Sequence, residues 1–191
     1  MYKRQRLWVD NIKNVEKLKN IKITVTDISE GMVNDARRNI GNGMFDYGVA
    51  DCMNLPFDDN SFDCVIANHV IFYCEEPGKA FKEIKRVLKP GGKAVFSTYG
   101  SHHMQEIAQL VNQFDKRIVL SADVLYEKFG LDNGERLLEK YFNKVDKRLY
   151  DDYLLVDVAE PIIEYILSCH GNQNHYLSLI HISEPTRLQL I

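Results

Sequence analysis

Two carboxylates stand in corresponding places: Asp27 closes the alternating run Ile21-Lys22-Ile23-Thr24-Val25-Thr26, and Asp51 follows the run Phe45 to Ala50. A carboxylate at a strand end can accept hydrogen bonds from both hydroxyls of a ribose, which is the chemistry expected of Asp27. Asp51 beside the backbone N–H of Cys52 offers an acceptor and a donor together, matching the exocyclic amine and ring nitrogen of adenine, with Met53, Leu55 and Phe57 as apolar walls. Taken alone, Asp27 serves equally well to open the turn into a helix, Asp51 to open a turn, and Phe57 to fill a core. Asn68 ends the nearly continuous apolar run Phe62 to Asn68, and His69 follows it. His69, Tyr73, His102 and His103 are groups able to orient or deprotonate a reacting partner, although a structural or surface role fits each of them more simply.

These residues need strands to carry them. The Ile21–Asp27 alternation predicts a strand, and Ser29 can cap a helix with Met32, Ala36 and Ile40 on one face, closed by Gly41-Asn42-Gly43. Further strands are expected over Phe45 to Ala50, Phe62 to Asn68 and Ala94 to Thr98, with a helix bearing Ala80, Phe81, Ile84, Val87 and Leu88 stopped by Pro90-Gly91-Gly92. Ahead of them Leu7, Trp8, Ile12, Val15 and Leu18 recur at helical spacing. Strands alternating with helices imply a parallel α/β sheet, with ligands at the carboxyl ends of its strands. Beyond Gly100 the pattern turns helical, over Met104 to Phe114, Ala122 to Lys128 and Gly134 to Phe142, then a late strand over Lys144 to Val156 and a helix over Pro161 to Ser168.

Composition narrows the function classes. A chain of 191 residues with 45% hydrophobic and 27% charged residues suits one soluble globular domain. A net charge of -3 supplies no uniform positive field, so bulk nucleic-acid binding is not expected. Cys52, Cys64, Cys74 and Cys169 show no CxxC pairing, which suggests neither a metal site nor a disulfide framework but reduced thiols. With no apolar run long enough for membrane insertion and no apolar signal core, a cytoplasmic protein is expected. Oligomeric state is left open.

Three segments carry a resemblance: TDISEGMVNDAR at Thr26 to Arg37, DCMNLPFDDNSFDCVIANHV at Asp51 to Val70, and EIKRVLKPGG at Glu83 to Gly92. In this order and at this spacing they resemble class I S-adenosylmethionine-dependent methyltransferases, in the broad group that includes menaquinone and ubiquinone methyltransferases. The resemblance covers about half the chain. It implies a doubly wound, Rossmann-like α/β sheet, with S-adenosylmethionine as cofactor and a small-molecule methyl acceptor. It also implies that Asp27 binds the ribose, Ile28 packs on the adenine, Asp51 and Cys52 read the adenine edge, and Asn68 lies near the methionine portion. TYGSHHMQEI at Thr98 to Ile107 resembles the post-strand loop of one bacterial subgroup, where His103 begins a helix facing the acceptor; it is the preferred catalytic candidate, with His69 second. Residues 6–100 would then form a partial cofactor-binding core and residues 101–176 a helical acceptor-side region.

The family's GxGxG turn should come just before Arg6 and is absent; its strand belongs between those ending at Asp27 and Asn68. The last strand is expected to be missing as well. LSLIHISEPTR at Leu177 to Arg187 resembles the translation of a transposon-end sequencing adapter, and MYKRQ at Met1 to Gln5 resembles the same adapter read on the other strand. Residues 1–5 and 177–191 are therefore expected to be non-native, and cofactor binding by the chain as written to be impaired. Two other functions stay open: a methyltransferase-like binding or scaffold protein without activity, and a NAD-dependent dehydrogenase, against which the Leu55-Pro56-Phe57 loop and the Pro90-Gly91-Gly92 turn both argue.

Overall fold

The computed structural model describes residues 21–41, 43, 45–121, 124–150, 153, 155–169 and 171–180, with the side chains of 178–180 left out. The helix predicted over Leu7 to Leu18 lies outside the described residues, as do 1–5 and 181–191. Two compact units share the chain, one drawn from Met1–Ala67 and Cys74–Phe96, the other from Asn68–Tyr73 and Ser97–Ile191.

The first unit opens with a β-α-β turn of chain. Strand β1 (Ile23–Asp27) is rich in β-branched residues and pairs in parallel with β2 (Phe45–Val49), Ile23 against Phe45 and Asp27 against Val49. Helix α1 (Glu30–Ile40) makes the crossover. Ser29 is its N-cap: its extended backbone directs Oγ to accept the Met32 N–H at 3.4 Å. Glu30 in the first turn and Arg37 and Arg38 in the last complement the helix dipole, and Gly41 at φ 91 ends the helix by donating its N–H to the Arg37 carbonyl.

Strands β3 (Phe62–Asn68) and β4 (Leu88–Ser97) form a second pair, with α2 (Pro77–Val87) between them in sequence. Pro77 starts the helix where its missing N–H costs nothing, and Ala80, Phe81, Ile84 and Val87 recur at helical spacing as its buried face. Phe81 meets Phe96 of β4 edge to face, with ring centres 5.6 Å apart. The predicted stop at Pro90-Gly91-Gly92 is not a stop, because β4 already begins at Leu88 and runs through it. Ser61 N–H donates to the Val87 carbonyl, and His69 N–H to that of Ser97, so the pair is parallel but an advance of eight residues along one segment matches ten along the other. Two residues must bulge out. Gly91 takes φ 80, and a Cβ on Gly92 would stand 2.9 Å from the Lys89 carbonyl oxygen, so both glycines are used for backbone geometry.

Among the described residues no strand joins the two pairs.

The second unit is helical: a 3-10 turn (Ile71–Tyr73), α3 (Gln105–Phe114), α4 (Leu125–Lys128), α5 (Gly134–Leu138), α6 (Glu160–Ser168) and α7 (Gln173–Ile180). Ile71, Phe72, Val111, Ile118 and Phe129 are its buried apolar residues. Helix α5 is shorter than predicted, because Tyr141 and Phe142 both donate to the Leu138 carbonyl and close it in a turn. The late strand predicted over Lys144 to Val156 does not form among the described residues. A strand exists only against a partner that takes its backbone hydrogen bonds; here Leu149, Tyr150 and Leu155 are largely exposed. Helix α7 was not expected at all. Among the described residues no helix is long and apolar enough to cross a membrane.

Candidate functional site

The β1–β2 register sets the two carboxylates on one edge. Asp27 faces Val49, the Ala50 N–H donates to the Asp27 carbonyl at 3.0 Å, and Asp51 comes next. Each side chain first shapes its own turn: Asp27 Oδ1 accepts the Ser29 N–H and Asp51 Oδ1 accepts the Met53 N–H, both at 2.8 Å. The plain turn-opening role is thus real for both acids. It uses one oxygen of each, and among the described residues Oδ2 of neither accepts a further hydrogen bond. A carboxylate has about four acceptor positions, so turn and ligand roles are compatible. Ile28, between Asp27 and the cap, is 69% exposed and presents an apolar side chain to solvent.

The loop after Asp51 is held by two residues to which sequence reasoning gave no role. Arg86 Nη2 donates to the Leu55 carbonyl at 2.9 Å, and Nη1 donates to the Phe57 carbonyl at 2.7 Å and to Asp59 Oδ1 at 2.8 Å. Glu83 Oε2 accepts the Leu55 N–H at 2.9 Å, while both its oxygens accept from the Arg86 guanidinium. Those guanidinium hydrogen bonds hold the Glu83 carboxyl below the usual carboxylate range; burial opposes the shift, and the Leu55 N–H and the Arg86 charge reinforce it. An acid and an arginine three apart near the end of a helix was the available signal. Their purpose depended on a loop some thirty residues away. Phe57 also packs edge to face on Phe62, ring centres 4.9 Å apart. Beside this loop the Cys52 and Cys74 sulfurs lie 3.1 Å apart, a proximity no spacing rule announced.

Asn68, His69 and His103 belong to the second unit. Asn68 Oδ1 accepts from Ser97 Oγ at 3.2 Å, and the His69 N–H is shared between the Ser97 carbonyl and Ser97 Oγ, each at 3.1 Å. His69 is half-buried at φ 50, a left-handed conformation that a non-glycine residue adopts at a cost. Its ring stacks on Tyr99 with centres 6.3 Å apart, and Tyr99 in turn meets His103 at 4.8 Å. The two predicted imidazoles therefore flank one tyrosine, a residue the sequence reading did not single out. His102 instead binds Gln105 Oε1 through Nδ1, and Tyr73 is largely exposed at the end of the 3-10 turn. The open depression lined by Gln109, Asn112, Gln113 and Lys116 on α3 holds none of the predicted site residues.

The family model described as a methyltransferase domain matches residues 11–96. Over 80 residues the chain is 39% identical to a demethylmenaquinone methyltransferase of Clavibacter sepedonicus, covering 41% of this chain and 33% of that enzyme. Over 91 residues it is 44% identical to a malonyl-[acyl-carrier protein] O-methyltransferase of a Marinomonas species, covering 48% of this chain and 27% of that one. Among solved structures, the PH0226 protein of Pyrococcus horikoshii superposes at a TM-score of 0.50 with 26% identity, covering 70% of this chain and 68% of that one. Over residues 11–96 the chain is similar to class I methyltransferase domains. The chain spans about a third of the length of the curated relatives it matches.

The cofactor of this methyltransferase family is S-adenosylmethionine, and the donor set on the β1–β2 edge fits it. Two carboxylates, each with an oxygen left for an outside donor, suit a group that brings ribose hydroxyls and an adenine amine, and exposed Ile28 suits a flat apolar ring.

Proposed function

We propose that this methyltransferase domain belongs to an enzyme that transfers a methyl group from S-adenosylmethionine to a small-molecule acceptor, with residues 101–176 on the acceptor side. The observation that carries this most directly is the common edge of Asp27 and Asp51, joined through the Ala50–Asp27 hydrogen bond on a parallel strand pair. Asp27 holds the ribose hydroxyls, Ile28 covers one adenine face, Asp51 and the Cys52 N–H take the adenine edge, and Asn68 contributes beside the methionine portion.

The cofactor supplies an electrophilic methyl carbon on a sulfonium, and the protein's own task is alignment. The Arg86–Glu83 clamp keeps the loop at residues 55–59 in one conformation, which fixes the wall next to Asp51 before any ligand arrives. His103 is assigned to orient or deprotonate the acceptor, with His69 as the second candidate; both contact the Tyr99 ring, which limits their rotation. Two of the similar enzymes are named for a demethylmenaquinone and a malonyl-carrier acceptor, so a ring carbon and a carboxylate oxygen are the first acceptor classes to test.

Thermal melts with S-adenosylhomocysteine and with NAD test the assignment. Stabilisation by S-adenosylhomocysteine, lost on Asp27→Ala, is expected. Stabilisation by NAD alone would overturn it. With an acceptor in hand, His103→Asn should lower kcat while leaving S-adenosylhomocysteine affinity unchanged; a changed affinity with unchanged kcat would move His103 out of the acceptor side.

A further inference from the structure

The proposed chemistry leaves one reactive pair unused. Cys52 and Cys74 place their sulfurs 3.1 Å apart, about 1 Å farther than the ~2.05 Å of a disulfide bond. Both belong to the first unit, although the chain between them leaves it for residues 68–73 and returns at Cys74. Neither cysteine lies within a helix or strand. Cys52 sits in the turn that Asn54 closes onto the Asp51 carbonyl, and Cys74 follows the 3-10 turn ahead of α2, so their backbones are not locked by a ladder or a helix. The two other cysteines differ: Cys169 donates its thiol to the Tyr165 carbonyl, and Cys64 is an exposed residue of β3.

We propose that Cys52 and Cys74 are a thiol modification site, forming a reversible intramolecular disulfide by exchange with a low-molecular-weight disulfide. Cys74 is 5% exposed and Cys52 half-buried, so Cys52 makes the first attack. Its thiolate, having given its proton to solvent, displaces one sulfur of R–S–S–R; that bond breaks, one R–S⁻ leaves and takes up a proton, and a mixed disulfide remains on Cys52. The Cys74 thiolate then attacks the Cys52 sulfur and expels the second R–S⁻. Two protein thiols are oxidised to one disulfide while R–S–S–R is reduced to two R–SH. The hydrogen bond with Cys74, together with burial, pushes the Cys52 thiol up, so the exchange is slow near neutrality and quickens as pH rises.

The bridge would tie the turn at residues 51–54 to the segment entering α2. Because the Cys52 N–H is assigned to the adenine edge, the disulfide form is expected to bind S-adenosylhomocysteine up to about tenfold more weakly, the weight of one hydrogen bond. That consequence rests on the function proposed above; the disulfide does not.

The test incubates the reduced 191-residue chain with oxidised glutathione at about pH 8, then denatures it and tags free thiols with a maleimide. The expected result is tags on Cys64 and Cys169 only, a linked Cys52–Cys74 peptide in a non-reducing digest, and full reversal by dithiothreitol. The variant Cys74→Ser should stop at glutathione on Cys52, and Cys64→Ser with Cys169→Ser should leave the bridge forming. Tags on every cysteine, glutathione retained on Cys52 as the end product with Cys74 present, or a bridge to Cys64 or Cys169 would overturn the proposal. If Cys74→Ser does not fold, the digest of the unaltered chain still decides. Absence of S-adenosylhomocysteine binding in both redox forms would count against the proposed function and leave the disulfide standing.

Discussion

Arg86 Nη2 lies 2.9 Å from the carbonyl oxygen of Leu55, so a helix residue closes a hydrogen bond on a loop 31 positions earlier in the chain. The same guanidinium reaches Phe57 and Asp59, and Glu83 takes the Leu55 N–H. A planar fork with several donors can serve these acceptors at once, whereas an ammonium is a point charge that cannot. Arg86→Lys should therefore speed amide hydrogen exchange across residues 55–59 and weaken S-adenosylhomocysteine binding, while the protection of β1 and β2 stays near that of the unaltered chain. Equal loss of protection in both places would mean that Arg86 supports the whole unit rather than the loop.

Glu83 contributes to the acid limb of stability. Its carboxyl is held below the ordinary range in the folded chain, chiefly by the Arg86 hydrogen bonds, so folding favours the ionised form. The stabilisation is complete above the ordinary glutamate value of about 4.3 and fades as pH falls below it toward the depressed value. Urea midpoints measured from neutral to about pH 3 should show the unaltered chain losing its advantage over Glu83→Gln in that acidic window. A gap that stays constant with pH would rule this origin out.

Cap and ligand roles at the end of β1 can be separated. Ser29→Ala removes the acceptor for the Met32 N–H and should cost about 0.5–1 kcal/mol, the low end for a cap because the bond is long at 3.4 Å. Asp27→Asn retains an oxygen for the Ser29 N–H, so its stability cost should be small, yet it should weaken S-adenosylhomocysteine binding by roughly 10- to 100-fold, the weight of charge-assisted hydrogen bonds. Calorimetric titration of both variants distinguishes the two effects. Equal affinities would remove Asp27 from the cofactor site.

The bulge in β4 predicts an asymmetry between adjacent glycines. Gly91→Ala would pay the left-handed penalty of roughly 1–2 kcal/mol, with open space around the new methyl. Gly92→Ala meets the Lys89 carbonyl at 2.9 Å and the Asp63 carbonyl at 3.1 Å, backbone atoms of two paired strands that cannot turn away. It should destabilise more than Gly91→Ala and loosen the β3–β4 pair, read from chemical denaturation and from exchange of the amides of residues 61–69.

Much of the first unit could be read locally. The period-two alternation marked β1, the nearly continuous apolar run marked β3 with its bounds at Phe62 and Asn68, Ser29 marked the cap of α1, and the spacing of Ala80, Phe81, Ile84 and Val87 marked the buried face of α2. These signals are properties of a few consecutive residues, because a strand or helix repeats its side-chain directions every two or 3.6 positions. The same local signals put Asp27 and Asp51 at strand ends.

Other features depended on residues far apart in the chain. Arg86 meets Leu55 across 31 positions and Cys52 meets Cys74 across 22, and no short-range period encodes either meeting. The glycines expected to end a helix became a bulge because β4 had to keep pairing with β3 on both sides of them. The run from Lys144 to Val156 has strand-like residues, yet its described residues form no strand. Local sequence proposes an element, whereas hydrogen-bond partners and packing neighbours, available only once the chain is folded, decide whether it forms and what its side chains touch.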